Sequence, residues 1–195
     1  MSEFIRKSLK WSVGIAVTTF VLAAIFSIIS TISLRGVAWG IGMIIVLIIV
    51  LIGIVFDMLG IAATAANEVP FHAMASKKVD GARQAINIVR NADRFASFCN
   101  DVIGDISGII SGTAAAFVIV QLMTELQLPG ESTIQFVASV LFTSVIAALT
   151  VGGKALGKSL ALEYSTNIIF FVGKTFYLLE SNYNITIMKE KKVKK

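Results

Sequence analysis

The chain holds one cysteine, one histidine and two prolines in 195 residues, and only 15% of it is charged. Cys99 by itself excludes an internal disulfide, and with His72 as the single histidine no Cys/His metal cluster can be assembled. Glycine-rich phosphate loops are missing as well. There is no GxGxxG, no P-loop, and no Ser/His/Asp set that one histidine could serve. No enzyme is expected on these grounds. The net charge of +5 asks for no nucleic acid, because the placement of the charges accounts for it. What the sequence has in abundance is apolar: 56% hydrophobic residues and a mean hydropathy of +0.84. A domain in water would expose too much of that surface, so an integral membrane protein is expected.

The uncharged runs are long enough to cross a bilayer. Trp11 to Leu34, Val37 to Phe56, Ile106 to Met123 and Ile134 to Gly153 carry no Asp, Glu, Lys or Arg. Each reaches the roughly 18–20 residues that span a hydrocarbon core about 30 Å thick. The fold class predicted is all-α, with four spans at about 11–34, 37–63, 99–123 and 134–153. An amphipathic juxtamembrane segment follows the second span at about 67–97, an interfacial helix is expected at about 155–180, and a basic tail runs over 181–195. The first run is too long for a cleaved signal peptide and is read as a retained helix.

Charge sets the expected topology. Arg6, Lys7 and Lys10 precede the first span, Lys77, Lys78, Arg83, Arg90 and Arg94 lie in the middle segment, and the rest apart from Arg35 follow the fourth span. With four spans, 16 of the 17 basic residues fall on one side, and only Arg35 falls on the other. The positive-inside rule then places both termini in the cytoplasm; the membrane expected is the plasma (inner) membrane. Arg35-Gly36 reads as a tight turn between the first two spans, and the outer loop with Pro129-Gly130 is short.

In the middle segment, Phe71, Met74, Val79, Ala82, Ile86, Val89 and Phe95 recur at helical spacing, with the basic residues off that stripe. The expectation is a helical hairpin on the membrane surface, broken at Gly81, whose basic face contacts anionic lipid. His72 is read as an interfacial side chain.

Carboxylates inside spans are costly and mark functional positions. Asp57 sits near the end of the second span, Asn100, Asp101 and Asp105 at the start of the third, and Lys154 after the fourth. Antiparallel packing brings these ends to one depth. Asp101 and Asp105 share a helix face, and Gly104, Gly108 and Gly112 form a small-residue row that lets a helix or a partner subunit approach closely. Asn100 and Asp105 are five residues apart, so a π-bulge would be needed to align them.

With these residues lined up, residues 40–180 resemble the transmembrane domain of the CorB/CorC and cyclin-M (CNNM) family of magnesium transporters. The matching stretches are "FHAMASKKVDGARQA" after the second span, "CNDVIG" at the start of the third, and "GKALGKSLA" from Gly153 to Ala161. The family has Gly-Asn-x-x-x-Asn at the second place and Gly-Glu-x-x-Pro-Lys-(Ser/Thr)-Leu-Ala at the third. The resemblance implies a homodimer with a dehydrated Mg²⁺, or another divalent cation, held between spans by oxygen ligands. Carried over residue by residue, it points to Asp57, Asn100 and Gly104, with Asp105 beside Gly104. The family's ligand serine falls on Asp57, its second Asn on Gly104, its Glu on Lys154 and its Pro on Gly157.

Lysine in place of that Glu divides the expectation. In one reading Asp57, Asn100 and Asp105 hold a divalent cation that is transported, while Lys154 snorkels to the headgroups. In the other the Lys154 ammonium occupies the ion's place, no cofactor is bound, and the chain is a non-transporting relative that acts as a membrane scaffold or partners another protein. A Na⁺- or proton-coupled carrier is a third reading. No CBS domains are expected.

Overall fold

Long Ile, Val, Leu and Ala runs without proline fold as helices, because in lipid each backbone N–H must be paired within its own segment. The computed structural model describes residues 3–126 and 133–183. The loop around Pro129 and the tail beyond residue 183 lie outside the described residues. In chain order the elements are α1 (Glu3–Leu34), α2 (Trp39–Ala65), α3 (Glu68–Ser76), α4 (Ala82–Arg90) and α5 (Ala92–Ser97). A π-helix (Phe98–Gly104), α6 (Asp105–Glu125), α7 (Thr133–Glu163) and α8 (Ser165–Tyr183) follow. No strand occurs among the described residues. The protein is an all-α membrane protein.

Four stretches are long and apolar enough to cross a membrane: Ser8–Leu34, Trp39–Ala65, Ala92–Glu125 and Phe136–Glu163. At 1.5 Å per residue the 27 residues of Ser8–Leu34 reach about 40 Å, more than the hydrocarbon core requires. The exposed Ile, Val, Leu and Phe side chains along these helices are the surface that a bilayer covers.

The helices divide into two compact units, Met1–Ile54 with Asp101–Gly153, and Val55–Asn100 with Lys154–Lys195. In the first, α1 packs on α6, with Val102, Ile106 and Ile110 buried against Ile15, Leu22 and Ala23. Leu34, Val46, Val50, Ala115, Val118 and Ile146 form a second cluster. The connection from α1 to α2 occupies residues 35–38, longer than the two-residue turn expected. Gly36 takes φ +75° there, and Gln121 Nε2 donates to the terminal Leu34 carbonyl at 3.3 Å.

In the second unit, Ala62 and Ala63 at the end of α2 and Ala66 just beyond it let the short helices come close. They bury Phe71, Ala85, Ile86, Ile88, Phe95, Ile169 and Val172. Gly81 breaks the segment as expected, with φ +87°, a conformation costly for any residue with a Cβ. Most of the apolar stripe is covered by neighbouring helices, with Val79 left exposed. α4 packs on α8 and on α3, and Phe95 meets Phe176 edge to face at 6.3 Å. The approach is close: a Cβ on Gly173 would stand 2.6 Å from the Gly81 carbonyl oxygen. Burying an amphipathic stripe against a second helix satisfies it better than a half-wet interface does.

Two boundaries differ from the sequence reading. α7 does not end near Gly153 but continues to Glu163, since Ala155, Leu156, Leu160, Ala161 and Leu162 are good helix formers and no proline intervenes. The helix expected from 155 therefore begins only at Ser165. The break at Tyr164 is bridged by the Tyr164 N–H to the Leu160 carbonyl and the Ile168 N–H to the Tyr164 carbonyl. Lys154 thus lies inside a helix, as Asp57 does within α2.

Candidate functional site

Asp57, Asn100 and Lys154 all belong to the second unit. Lys154 Nζ stands 3.8 Å from Asp57 Oδ1, with side chains 26% and 17% exposed respectively. The separation is that of an ion pair without a hydrogen bond. Lys154 therefore extends toward a carboxylate, although a topology anchor alone could have turned away from it.

Asn100 approaches the same helix one turn further along. Gly60 lies three residues after Asp57, on the same side of α2. A Cβ built on Gly60 would collide with Asn100 Oδ1. Glycine is what admits the amide against the α2 backbone. Asn100 Oδ1 is buried and accepts no hydrogen bond from the described residues. Leaving a buried acceptor unpaired costs about 1–3 kcal/mol, so such an atom marks a place where a donor or cation is favoured. Gly60 was not singled out in the sequence. Its signal is a glycine flanked by Leu59 and Ile61, one turn from an intramembrane carboxylate.

Asn100 is carried by the π-helix Phe98–Gly104, in the stretch where alignment of Asn100 with Asp105 called for one. The wider i→i+5 turn inserts an extra residue and is found mostly at functional sites. Asp105 and Gly104 belong to the first unit, where Asp105 is exposed in the first turn of α6 and Gly104 is buried. Asp101 is exposed there too.

The glycine row splits. One close approach of α2 to α6 in the first unit is at Gly53, where a Cβ would lie 2.9 Å from Ser107 Cβ and 3.5 Å from the Gly104 carbonyl oxygen. Gly108 and Gly112 face open space, with nothing within 4 Å of an added Cβ. They sit on a face that α2 does not cover.

The basic residues of the middle segment also divide. Lys77, Lys78, Arg83 and Arg94 are exposed. Arg90 is half-buried and donates through Nε to Glu68 Oε2 at 3.1 Å, so it ties α4 to α3. His72 Nε2 lies 3.2 Å from the same oxygen. Burial pushes the Glu68 carboxyl up, but the hydrogen bonds and charges of His72 and Arg90 outweigh it and hold the group below its ordinary value.

A divalent cation needs a net negative oxygen cage. Within the second unit Asp57 supplies one negative charge and Lys154 cancels it. Among the described residues no three His, Cys, Asp or Glu side chains come together to hold a metal. No protein-family model, curated protein or solved structure matches the chain.

Proposed function

We propose that this chain is a relative of the CorB/CorC and cyclin-M transmembrane domain in which the Lys154 ammonium takes the place of the transported cation. It then acts as a membrane scaffold or as a partner subunit. The observation that supports this most is the 3.8 Å separation of Lys154 Nζ from Asp57 Oδ1. A tethered cation offsets the cost of the carboxylate permanently, and a mobile ion then gains little by entering. Both termini on the cytoplasmic side of the plasma (inner) membrane, a homodimer and contact with anionic lipid belong to the same reading. The one-sided placement of the basic residues supports its topology.

A second reading, divalent cation transport with Asp57, Asn100 and Asp105 as ligands, is favoured by the unpaired, buried Asn100 Oδ1. Thermal melts in detergent with Mg²⁺, Mn²⁺ and Co²⁺, together with flux into proteoliposomes, separate the two. The expected result is no metal-dependent stabilisation and no flux for the wild-type chain, with metal stabilisation gained when Lys154→Glu is combined with Asp57→Ser. Mg²⁺-dependent stabilisation of the wild type, lost in Asp57→Ala, overturns the first reading in favour of transport.

A further inference from the structure

The second unit holds an open apolar groove of about 820 Å³, walled by the end of α2, by α5 and the π-helix, and by α8. Its walls include Leu59, Phe98 and Phe171, the last two 44% and 72% exposed. Arg94 is the one charged side chain among the described residues that line it, and Asn167 and Thr175 add the main polar atoms. Two of the walls are parts of membrane-crossing stretches, Trp39–Ala65 and Ala92–Glu125. Stretches of that length and apolarity are the ones lipid covers, so lipid is the apolar ligand within reach of this groove.

We propose that this groove is a binding site for an anionic phospholipid, with an acyl chain along the apolar walls and the phosphate against Arg94. The acyl chain contributes shape but little discrimination, because bilayer tails are as apolar as the groove. Selection falls to the headgroup. A guanidinium matches phosphate geometry with paired N–H donors, and a net negative headgroup leaves that phosphate charge unshared, where a zwitterionic one sets its own ammonium beside it. The exposed Lys77, Lys78 and Arg83 of the same unit reinforce the preference at longer range. This site is separate from the Asp57–Lys154 pair, and neither depends on the other.

The test is native mass spectrometry and thermal melting of the full chain in mild detergent, with phosphatidylglycerol or phosphatidylcholine added. Phosphatidylglycerol is expected to be retained preferentially and to raise the melting temperature, while phosphatidylcholine does neither. Arg94→Gln is expected to cut the preference about tenfold, the size of one charge-assisted hydrogen bond. Thr175→Trp, which fills the groove from an exposed wall position, is expected to abolish retention of either lipid. Lys77→Gln with Lys78→Gln reports the diffuse surface attraction and leaves most of the preference in place. Equal retention of the two lipids by the wild type, or a preference lost with the paired lysines and kept in Arg94→Gln, overturns the proposal. So does a Thr175→Trp chain that keeps its lipid but changes oligomeric mass, which assigns the groove to a second copy. Should Thr175→Trp fail to fold, the Arg94→Gln comparison decides alone.

Discussion

Lys154 Nζ and Asp57 Oδ1 lie 3.8 Å apart, each in the interior of a long apolar helix and each mostly shielded from solvent. Neither charge is at a helix end, so each offsets the other's burial where a terminus would have let water do so. Replacing Lys154 by Ala leaves the carboxylate uncompensated and is expected to cost about 1–3 kcal/mol, between the values for exposed and for fully buried pairs. Lys154→Ala combined with Asp57→Ala should recover much of that loss. A double-mutant cycle on thermal stability in detergent measures the coupling, and additive single effects remove the pair's role.

Gly60 and Asn100 form a second coupled pair. Gly60→Ala pushes a methyl group into Asn100 Oδ1 and is expected to destabilise by about 1–3 kcal/mol, as overpacking does. Asn100→Ala in the same background should relieve it. A Gly60→Ala chain that melts with the wild type contradicts the packing of Asn100 on α2.

The hairpin of short helices depends on backbone-to-backbone approach. Gly173→Val is expected to separate α8 from α4, lowering stability by about 1–3 kcal/mol, because it meets the Gly81 carbonyl and Ala85. Gly108→Ala is the comparison. Open space surrounds it, and alanine is the better helix former, so the change should be neutral or gain up to about 1 kcal/mol. Loss of a dimer on Gly108→Ala, seen by light scattering, identifies that face as the contact between copies.

The tie between α3 and α4 through Glu68 is pH-dependent. The folded carboxyl is held below its unfolded value, so its contribution is complete above the ordinary carboxylate range and is lost as pH falls through the folded value. Hydrogen exchange over residues 68–90 is expected to quicken on acidification in the wild type. In Glu68→Gln it should be fast already and change little over the same window.

Much of the architecture was legible along the chain. Uncharged runs gave the four spans, since a helix in lipid needs only length and apolarity, both local properties. Gly81 was legible as a break for the same kind of reason. The end of α7 was not, because Gly152, Gly153 and Lys154 look like a boundary while the helix formers that follow carry the helix to Glu163. The role of Arg90 was hidden too. Its partner Glu68 lies 22 positions away, and periodicity places it only on a polar face.

The sequence by itself determined that this is a helical membrane protein and which few polar residues its spans carry, because hydropathy and helical period are summed over neighbours. Only the tertiary structure decided which of those polar groups meet. It set Lys154 on Asp57, laid Asn100 on Gly60, and covered the amphipathic hairpin with α8. Such pairings depend on helix rotation and on how closely two backbones can approach, and these are settled between segments far apart in the chain.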